Sequence, residues 1–243
     1  TYHHRSQRDC TARNHHRQTL FYRCWADPAK SHYSAADVTF NENACATYTL
    51  LEDGKAIDTI TLGVPGIHNV YNSLAAIAAA HELGIRGEGI RNGLLRFTGT
   101  HRRFEKKGMI GGVTVIDDYA HHPQEIAATL AAAKNYPHRE IWCVFQPHTY
   151  TRTKALMEDF AKALSAADHV VLADIYAARE TDNLGISSET LAEKIAALGT
   201  DTHYFPSFDA IETFLLENCV NGDLLITMGA GDIVKVGEKL LGQ

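Results

Sequence analysis

The sequence predicts an α/β protein built around a mainly parallel sheet. From residue 98 onward, short apolar segments alternate with amphipathic segments long enough for helices, which is the pattern of repeated strand–helix–strand units. Four of the apolar segments end in titratable residues or glycines, as strands do where their carboxyl ends line a ligand cleft. With 45% hydrophobic and 21% charged residues, the chain has an ordinary globular composition.

Hydropathy, charge and cysteine content argue against several classes of protein. No apolar run approaches the roughly 20 residues of a membrane-spanning helix, and a net charge of −6 argues against generic binding to nucleic acid. The five cysteines are widely spaced and form no CxxC pair, which indicates a reducing compartment rather than a disulfide framework or a zinc site. We therefore expect a cytoplasmic protein without a nucleic-acid or membrane partner.

Residues 1–25 differ in composition from the rest of the chain. Histidine pairs at His3-His4 and His15-His16 allow a metal-binding or basic arm. No helical or strand period runs through this segment, however, which favours a non-native, tag-like or poorly ordered start.

Residues 26–97 begin with β-like patterns and end with helical ones. Alternating and β-branched residues predict the strands, a Glu-Asp-Gly-Lys sequence predicts a hairpin turn, and glycines bound the helices. The predicted elements are strands Ala36–Phe40, Ala46–Leu51 and Ile57–Leu62, the turn Glu52–Lys55, and helices Val70–Leu83 and Gly87–Leu95.

A domain boundary is predicted near Thr98, and residues 98–243 form the alternating part. The predicted strands are Val113–Ile116, Ile141–Phe145, His169–Leu172 and Leu224–Met228. The predicted helices are Gln124–Lys134, Thr153–Ser165, Ser188–Leu198, Phe208–Asn218 and Ile233–Leu241. Such alternation indicates a mainly parallel sheet covered by helices.

The predicted strand ends carry the candidate functional residues. Because carboxyl ends of parallel strands meet at one edge, we expect a cleft there. Local alternatives exist: Asp118 as a helix cap, His121 or His122 as a hydrogen-bond partner, and the glycines as a tight turn. The segments that follow the four strands are Asp117–His122, Gln146–Arg152, Asp174–Tyr176 with Arg179-Glu180 beyond, and Gly229–Asp232.

Two further pairs of residues allow more than one interpretation. Arg102 and Arg103 suit either a phosphate or base contact or a solvated basic turn. Asn69 and Asn72 lie three residues apart at a helix start, where capping is locally favoured over pairing with an adenine edge. No GxxxxGK[ST] phosphate loop occurs, and a GxGxxG dinucleotide fingerprint lacks its third glycine, which counts against a nicotinamide oxidoreductase.

Taken together, these motifs resemble the Mur ligase family of peptidoglycan synthesis. They follow one another in the family's order and spacing, and the resemblance runs from about Ser34 to the C-terminus. The segments that carry it are Gly66–Ala76, Arg102–Glu105, Asp117–Pro123, Phe145–Thr153 and Gly229–Ile233.

The resemblance implies a three-domain architecture of which this chain carries two parts. Residues 26–97 would be the C-terminal part of the central ATPase domain, and residues 98–243 the Rossmann-like C-terminal domain. The UDP-binding domain, the phosphate loop and the main Mg²⁺ ligands would lie outside the chain. ATP and Mg²⁺ are the implied cofactors, and we expect the chain to be inactive by itself.

The resemblance also implies a reaction, in which L-alanine is joined to the carboxylate of UDP-N-acetylmuramate through an acyl phosphate. Two alternatives stay open. In the first, the enzyme joins a recycled tripeptide instead of L-alanine. In the second, the chain is a non-catalytic binding module with the same fold. No catalytic base and no metal ligand is assigned. The implied contacts are His68, Asn69, Asn72, Arg103 and Asp118 for ATP, and Tyr119, His122, His148 and Arg152 for the amino acid.

Overall fold

The computed structural model describes residues 8–13, 19–24 and 31–243. It divides into two compact units, Thr1–Thr98 and Gly99–Gln243. The histidine pairs of the proposed metal-binding or basic arm lie outside the described residues. No helix in the described ranges is both long and apolar enough to cross a membrane.

The first unit contains a five-stranded sheet in the order β1-β2-β3-β4-β5. Its neighbours pair antiparallel, except β2 and β3, which share one parallel pair. The strands are β1 (Arg8–Arg13), β2 (Thr19–Cys24), β3 (Tyr33–Phe40), β4 (Cys45–Glu52) and β5 (Lys55–Pro65).

Strands β1 and β2 lie within residues 1–25, where the sequence shows no helical or strand period. They pair antiparallel from Arg8 opposite Cys24 to Arg13 opposite Thr19. Backbone groups make the hydrogen bonds of an antiparallel pair. Such a pair can therefore form where apolar and polar side chains do not alternate in the sequence. The hydrophobic pattern therefore gave no signal for this hairpin.

Two helices, α1 (Ile67–Glu82) and α2 (Glu88–Arg96), complete the first unit. Strand β4 alternates buried and half-buried residues, so that Tyr48 and Leu50 face the core. Helix α1 buries Leu74 and Ile77, which are three residues apart and therefore share one face. These side chains form one continuous hydrophobic cluster.

Glycines 63 and 93 provide a matched stability test of this unit. A Cβ at Gly63 would lie 2.3 Å from the carbonyl oxygen of Leu95 and 2.6 Å from that of Phe97, both rigid backbone atoms. We expect Gly63→Ala to lower the free energy of unfolding by about 2 kcal/mol, within the range for overpacking. Gly93 is exposed within α2 and a Cβ there would meet nothing within 4 Å, so Gly93→Ala should stabilise by up to about 1 kcal/mol.

Hydrogen exchange of the β4 amides measures both effects within this unit. Faster exchange is expected in Gly63→Ala and slower exchange in Gly93→Ala. Equal exchange in Gly63→Ala and the unmodified chain would contradict the close approach of β5 to the end of α2.

The second unit is a six-stranded sheet in the order β10-β9-β8-β11-β7-β6, parallel except for the edge strand β6. This confirms the predicted α/β class and the mainly parallel sheet. The strands are β6 (Glu105–Ile110), β7 (Val113–Asp118), β8 (Ile141–Phe145), β9 (His169–Leu172), β10 (Asp201–Tyr204) and β11 (Leu224–Met228). The helices are α3 (Pro123–Ala133), α4 (Tyr150–Ala155), α5 (Met157–Leu164), α6 (Ser188–Ala197), α7 (Phe208–Asn218) and α8 (Val234–Leu240).

Helices cover both faces of this sheet, and each face has its own core. On one face, α3, α5 and α6 pack against alternate residues of the central strands, such as Ile116 and Phe145. On the other face, α7 and α8 pack against the intervening residues, such as Val115 and Val144. Strands β7, β8 and β11 are buried along their whole length, which explains why they read as continuous apolar runs.

The sequence patterns missed the two edge strands and one helix break. Strand β6 contains Lys106 and Lys107, and β10 has no fully buried residue. Edge strands bury little surface and are commonly polar, so their hydrophobic signal is weak. The helix predicted over Thr153–Ser165 is divided at Leu156 into α4 and α5.

Candidate active site

The carboxyl ends of β7, β8, β9 and β11 meet at one edge of the sheet. Strand β11 lies between β7 and β8, so the segments that follow these strands are direct neighbours. The Gly229 amide donates to the carbonyl of Asp118, and the Gln146 amide donates to that of Met228, both at 3.0 Å. Open α/β sheets bind their ligands at such an edge, where the strand order reverses.

Arg102 and Asp117 form an ion pair that joins the ends of β7 and β11. The Nε atom of Arg102 lies 2.8 Å from Oδ2 of Asp117, whose side chain is fully buried. The same guanidinium donates to the carbonyl oxygens of Gly229 at 2.7 Å and Gly231 at 3.0 Å. Thr227 donates to the other oxygen of Asp117 at 2.7 Å. Arg102 therefore has a structural role, and it is neither a solvated turn residue nor an unengaged phosphate ligand.

Asp118 anchors two backbone segments to the end of β7. Its Oδ2 atom accepts the Phe104 amide and its Oδ1 atom accepts the Ala120 amide, each at 2.8 Å. Burial raises the pKa of the Asp118 carboxyl, against the opposing effects of these amides and of the Arg103 charge. Arg103 itself is exposed, unlike Arg102. The side chain of Thr129 is a further hydrogen-bond partner of the Asp118 carboxyl and also lowers its pKa.

The two histidines after β7 make local contacts. His122 is the N-cap residue of α3, where its Nδ1 atom accepts the Gln124 amide at 3.3 Å. It therefore takes the capping position for which Asp118 was considered. His121 Nδ1 lies 3.0 Å from the carbonyl oxygen of Tyr119 and 3.5 Å from a carboxylate oxygen of Glu125.

A row of rings runs across the ends of three strands. The Arg102 guanidinium lies 4.8 Å from the centre of the Tyr119 ring, which meets His121 edge-on at 5.5 Å. His121 and His148 are 6.1 Å apart, and His148 stacks on Tyr176 at 5.5 Å. We call this set, Tyr119, His121, His148 and Tyr176, the ring row. It brings together the predicted amino-acid contacts Tyr119 and His148.

Arg152 lies beside the ring row in the first turn of α4. Its Nη1 atom is 3.5 Å from Nδ1 of His148, and its side chain is half-buried. Burial lowers the pKa of His148, and the neighbouring charges of Arg152 and His121 lower it further, while Glu180 opposes them. A neutral imidazole is therefore held next to a permanent cation.

This arrangement predicts how His148 titrates. An NMR titration of the chain should place the pKa of His148 below its ordinary value of about 6.5, and Arg152→Ala should raise it because one repelling cation is lost. Lys154→Ala, which removes an exposed cation from the same helix, should leave it unchanged. An unchanged or lower pKa in Arg152→Ala would refute the coupling.

The same shift has a consequence for stability. Because the folded pKa of His148 lies below the unfolded value, the native state favours the neutral ring. The contribution of this group to stability is complete above about pH 6.5 and decreases as the pH falls below it.

Gln146 and Glu180, which have no role assigned from the sequence, hold backbone segments of the candidate site in place. Gln146 accepts the Asp232 amide at 3.0 Å, and a Cβ at Gly231 would lie 2.2 Å from the same Gln146 oxygen. Glu180 reaches the start of α4 and bonds to Tyr150 and Thr151. Of these contacts, only the one at Gly231 leaves a signal in the sequence, because a side chain at this position would crowd the Gln146 oxygen.

In the first unit, the predicted adenine contacts lie at the start of α1. Gly66 precedes the helix with a φ of 95° and provides no side-chain cap. Asn69 donates to the carbonyl of Pro65 at 2.7 Å and accepts from the Asn72 amide at 3.0 Å. The two asparagines are thus paired with each other on the helix surface, with His68 adjacent in the sequence. Neither acts as the cap that local sequence favoured.

Within the described ranges, no group of three or more His, Cys, Asp or Glu side chains is arranged to hold a metal ion. A Mg²⁺ site is therefore not assigned to these residues.

The chain matches one protein-family profile and is similar to several curated proteins. Residues 102–231 match the profile of the Mur ligase glutamate ligase domain. The UDP-N-acetylmuramate–L-alanine ligase of Lachnospira eligens is 65% identical over 216 residues, which are 89% of this chain and 47% of the relative. The enzyme of the same name from Agathobacter rectalis is 55% identical over 88% of this chain and 46% of the relative.

Two solved structures show the same fold. The UDP-N-acetylmuramate–alanine ligase of Thermotoga maritima has a TM-score of 0.75 and 29% identity, covering 88% of this chain and 46% of that one. A murein peptide ligase of Psychrobacter arcticus has a TM-score of 0.64 and 24% identity, covering 91% and 46%. The chain spans about half the length of the curated relatives it matches.

Proposed function

The chain belongs to the Mur ligase family, and from this premise we propose that it forms part of an ATP-dependent ligase joining L-alanine to the carboxylate of UDP-N-acetylmuramate. The names of its 65% and 55% identical relatives support the choice of substrates. The observation that carries the assignment of the site is Arg152 beside the neutral His148 at the ligand-binding edge of the sheet.

The reaction needs an activated carboxylate and a neutral amine. The muramate carboxylate accepts the terminal phosphoryl group of ATP and becomes an acyl phosphate, with ADP as the leaving group. The amine of alanine, after losing its proton, attacks the acyl carbon. The tetrahedral adduct then expels phosphate, which leaves an amide bond. The protein contributes by placing the two reactants and by stabilising the charge that develops between them.

In this proposal, Arg152 binds the carboxylate of the incoming alanine. A guanidinium presents parallel donors that match the two oxygens of a carboxylate. Tyr119 follows β7, and His148 follows β8 in the same segment as Arg152. We assign both to the same amino-acid site, and His122 to its border. The lowered pKa of His148 keeps its ring neutral at pH 7, so it does not repel the cationic form of the amine.

ATP would contact the remaining predicted residues. We assign the nucleotide to the exposed Arg103 and, through ribose hydroxyls, to the carboxylate of Asp118 at the end of β7. Asn69 and Asn72 are assigned to the adenine base, with His68 beside them. Mg²⁺, when bound, would neutralise phosphate charge, and we assign no residue of this chain to it.

The experiment is a chimera in which the 216 matched residues replace their counterparts in the Lachnospira eligens ligase. Phosphate release is measured with ATP, UDP-N-acetylmuramate and either L-alanine or the recycled tripeptide. We expect release with alanine, and none from the 243-residue chain alone. Release only with tripeptide would assign the recycling reaction instead. A folded chimera that is inactive with both amines would favour the non-catalytic module.

A further inference from the structure

We propose that Glu180 is a positioning residue, which holds Arg152 and His148 in the geometry that receives the amino acid. This inference rests on the proposed function, because it assigns a role within the same amino-acid site. Glu180 does not itself contact the pocket residues that we assign to alanine. It acts on the backbone between them.

The contacts of Glu180 fix the start of α4 at three points. Its Oε2 atom accepts the Tyr150 amide at 2.5 Å and the Thr151 amide at 3.1 Å. Its Oε1 atom accepts the hydroxyl of Thr151. Tyr150 and Thr151 lie in the chain between His148 and Arg152, so the carboxylate holds the segment that connects the two proposed ligands of alanine.

Helix α4 depends on such an external partner. It has only six residues, and the first four amides of any helix lack partners within the helix. No side chain of its own N-cap residue, Thr149, supplies a bond. Glu180, from the loop after β9, provides the acceptor instead. The orientation of Arg152 in the first turn therefore depends on a residue that lies 29 positions after Thr151.

The backbone before α4 makes this dependence stronger. Thr149 has a φ of 66°, a conformation that β-branched residues rarely adopt and that surrounding contacts must maintain. Its amide donates to the carbonyl of Tyr176 at 2.9 Å, and the Tyr176 amide donates to that of Pro147 at 2.8 Å. The two loops are thus joined on one side by backbone bonds and on the other by Glu180.

The geometry also indicates that the shape of Glu180 matters more than its charge. In Glu180→Gln, the side-chain oxygen can still accept both amides. The new NH₂ group can donate to the Thr151 hydroxyl, which then acts as an acceptor. Glu180→Ala removes all three bonds. A positioning role therefore predicts that glutamine rescues function, whereas a purely electrostatic role predicts that glutamine and alanine are equally harmful.

The kinetic test uses the chimera with Glu180→Ala, Glu180→Gln and, as control, Glu217→Gln on the exposed surface of α7. We expect Glu180→Ala to raise the KM for alanine by about tenfold or more, because small misplacements of a binding group have large effects. The KM for ATP should stay within about twofold. Glu180→Gln should recover most of the alanine affinity, and Glu217→Gln should match the parent.

A second measurement uses the full 243-residue chain without any ligand. Hydrogen exchange of the Tyr150 and Thr151 amides should become at least about tenfold faster in Glu180→Ala, because their acceptor is lost. The Ile226 amide, in the sheet core, should exchange as before. If Glu180→Ala does not fold, Glu180→Asp, whose carboxylate is one methylene shorter, replaces it in both measurements.

The outcomes separate the two proposals. An unchanged alanine KM in Glu180→Ala, an equal rise in both KM values, or unchanged exchange at Tyr150 and Thr151 would overturn the role of Glu180. A parent chimera inactive with alanine would overturn the proposed function. The exchange measurement would then decide alone whether Glu180 holds α4.

Discussion

Replacing Arg102 by alanine is expected to destabilise the second unit by about 3 kcal/mol, the largest effect on stability predicted for this chain. The substitution leaves the fully buried carboxylate of Asp117 without its cation. It also removes the donors to the carbonyls of Gly229 and Gly231. Thr227 still donates to Asp117, but one neutral hydrogen bond compensates only part of a buried charge.

Urea unfolding followed by the fluorescence of Trp142, a buried residue of this sheet, measures the effect. Arg103→Ala is the matched control, because Arg103 is adjacent but exposed, and it should change stability by less than about 0.5 kcal/mol. The double variant Arg102→Ala with Asp117→Asn should recover part of the loss. Equal unfolding midpoints for Arg102→Ala and Arg103→Ala would show that the ion pair between Arg102 and Asp117 does not stabilise the folded state.

Replacing Arg152 by alanine is expected to have the largest effect on function. In the chimera, the KM for alanine should rise by about 10- to 100-fold, which corresponds to losing a hydrogen-bonded carboxylate–guanidinium contact. The KM for ATP should change little. Lys154→Ala is the control, since Lys154 is an exposed cation on the same helix that bonds to the carbonyl of Leu184.

Two results would count against this assignment. An unchanged KM for alanine would mean that another group binds the carboxylate. A large rise in the KM for ATP alone would move Arg152 to the nucleotide site. Because Arg152→Ala is also expected to raise the pKa of His148, a profile of activity against pH for the same variant tests both effects together.

The sequence predicted the central part of the fold well, for a physical reason. Strands β7, β8 and β11 are buried on both faces, so they appear as apolar runs followed abruptly by polar residues. The position of the candidate site follows from the ends of those runs. The family resemblance, confirmed by the match over residues 102–231, added residue roles that remain predictions.

Contacts between residues that are far apart in the sequence could not be predicted from it. Arg102 and Arg103 are the same residue type side by side, and nothing local indicates which one is engaged with Asp117. Helix α5 and strand β9 lie between Tyr150 and Glu180 in the sequence, and no periodicity connects the two residues. Edge strands β6 and β10 were missed because charged and half-exposed residues carry little hydrophobic signal.

The position of β11 has a consequence for how the protein is made. Although β11 follows every other strand in the sequence, it lies in the middle of the sheet, between β7 and β8. During synthesis, β7 and β8 therefore leave the ribosome long before the strand that separates them. Their open edges must be kept from pairing with each other or with other chains until Leu224–Met228 has been translated. Folding of this unit is thus expected to be completed only after β11 has been translated, and to be slow for its size.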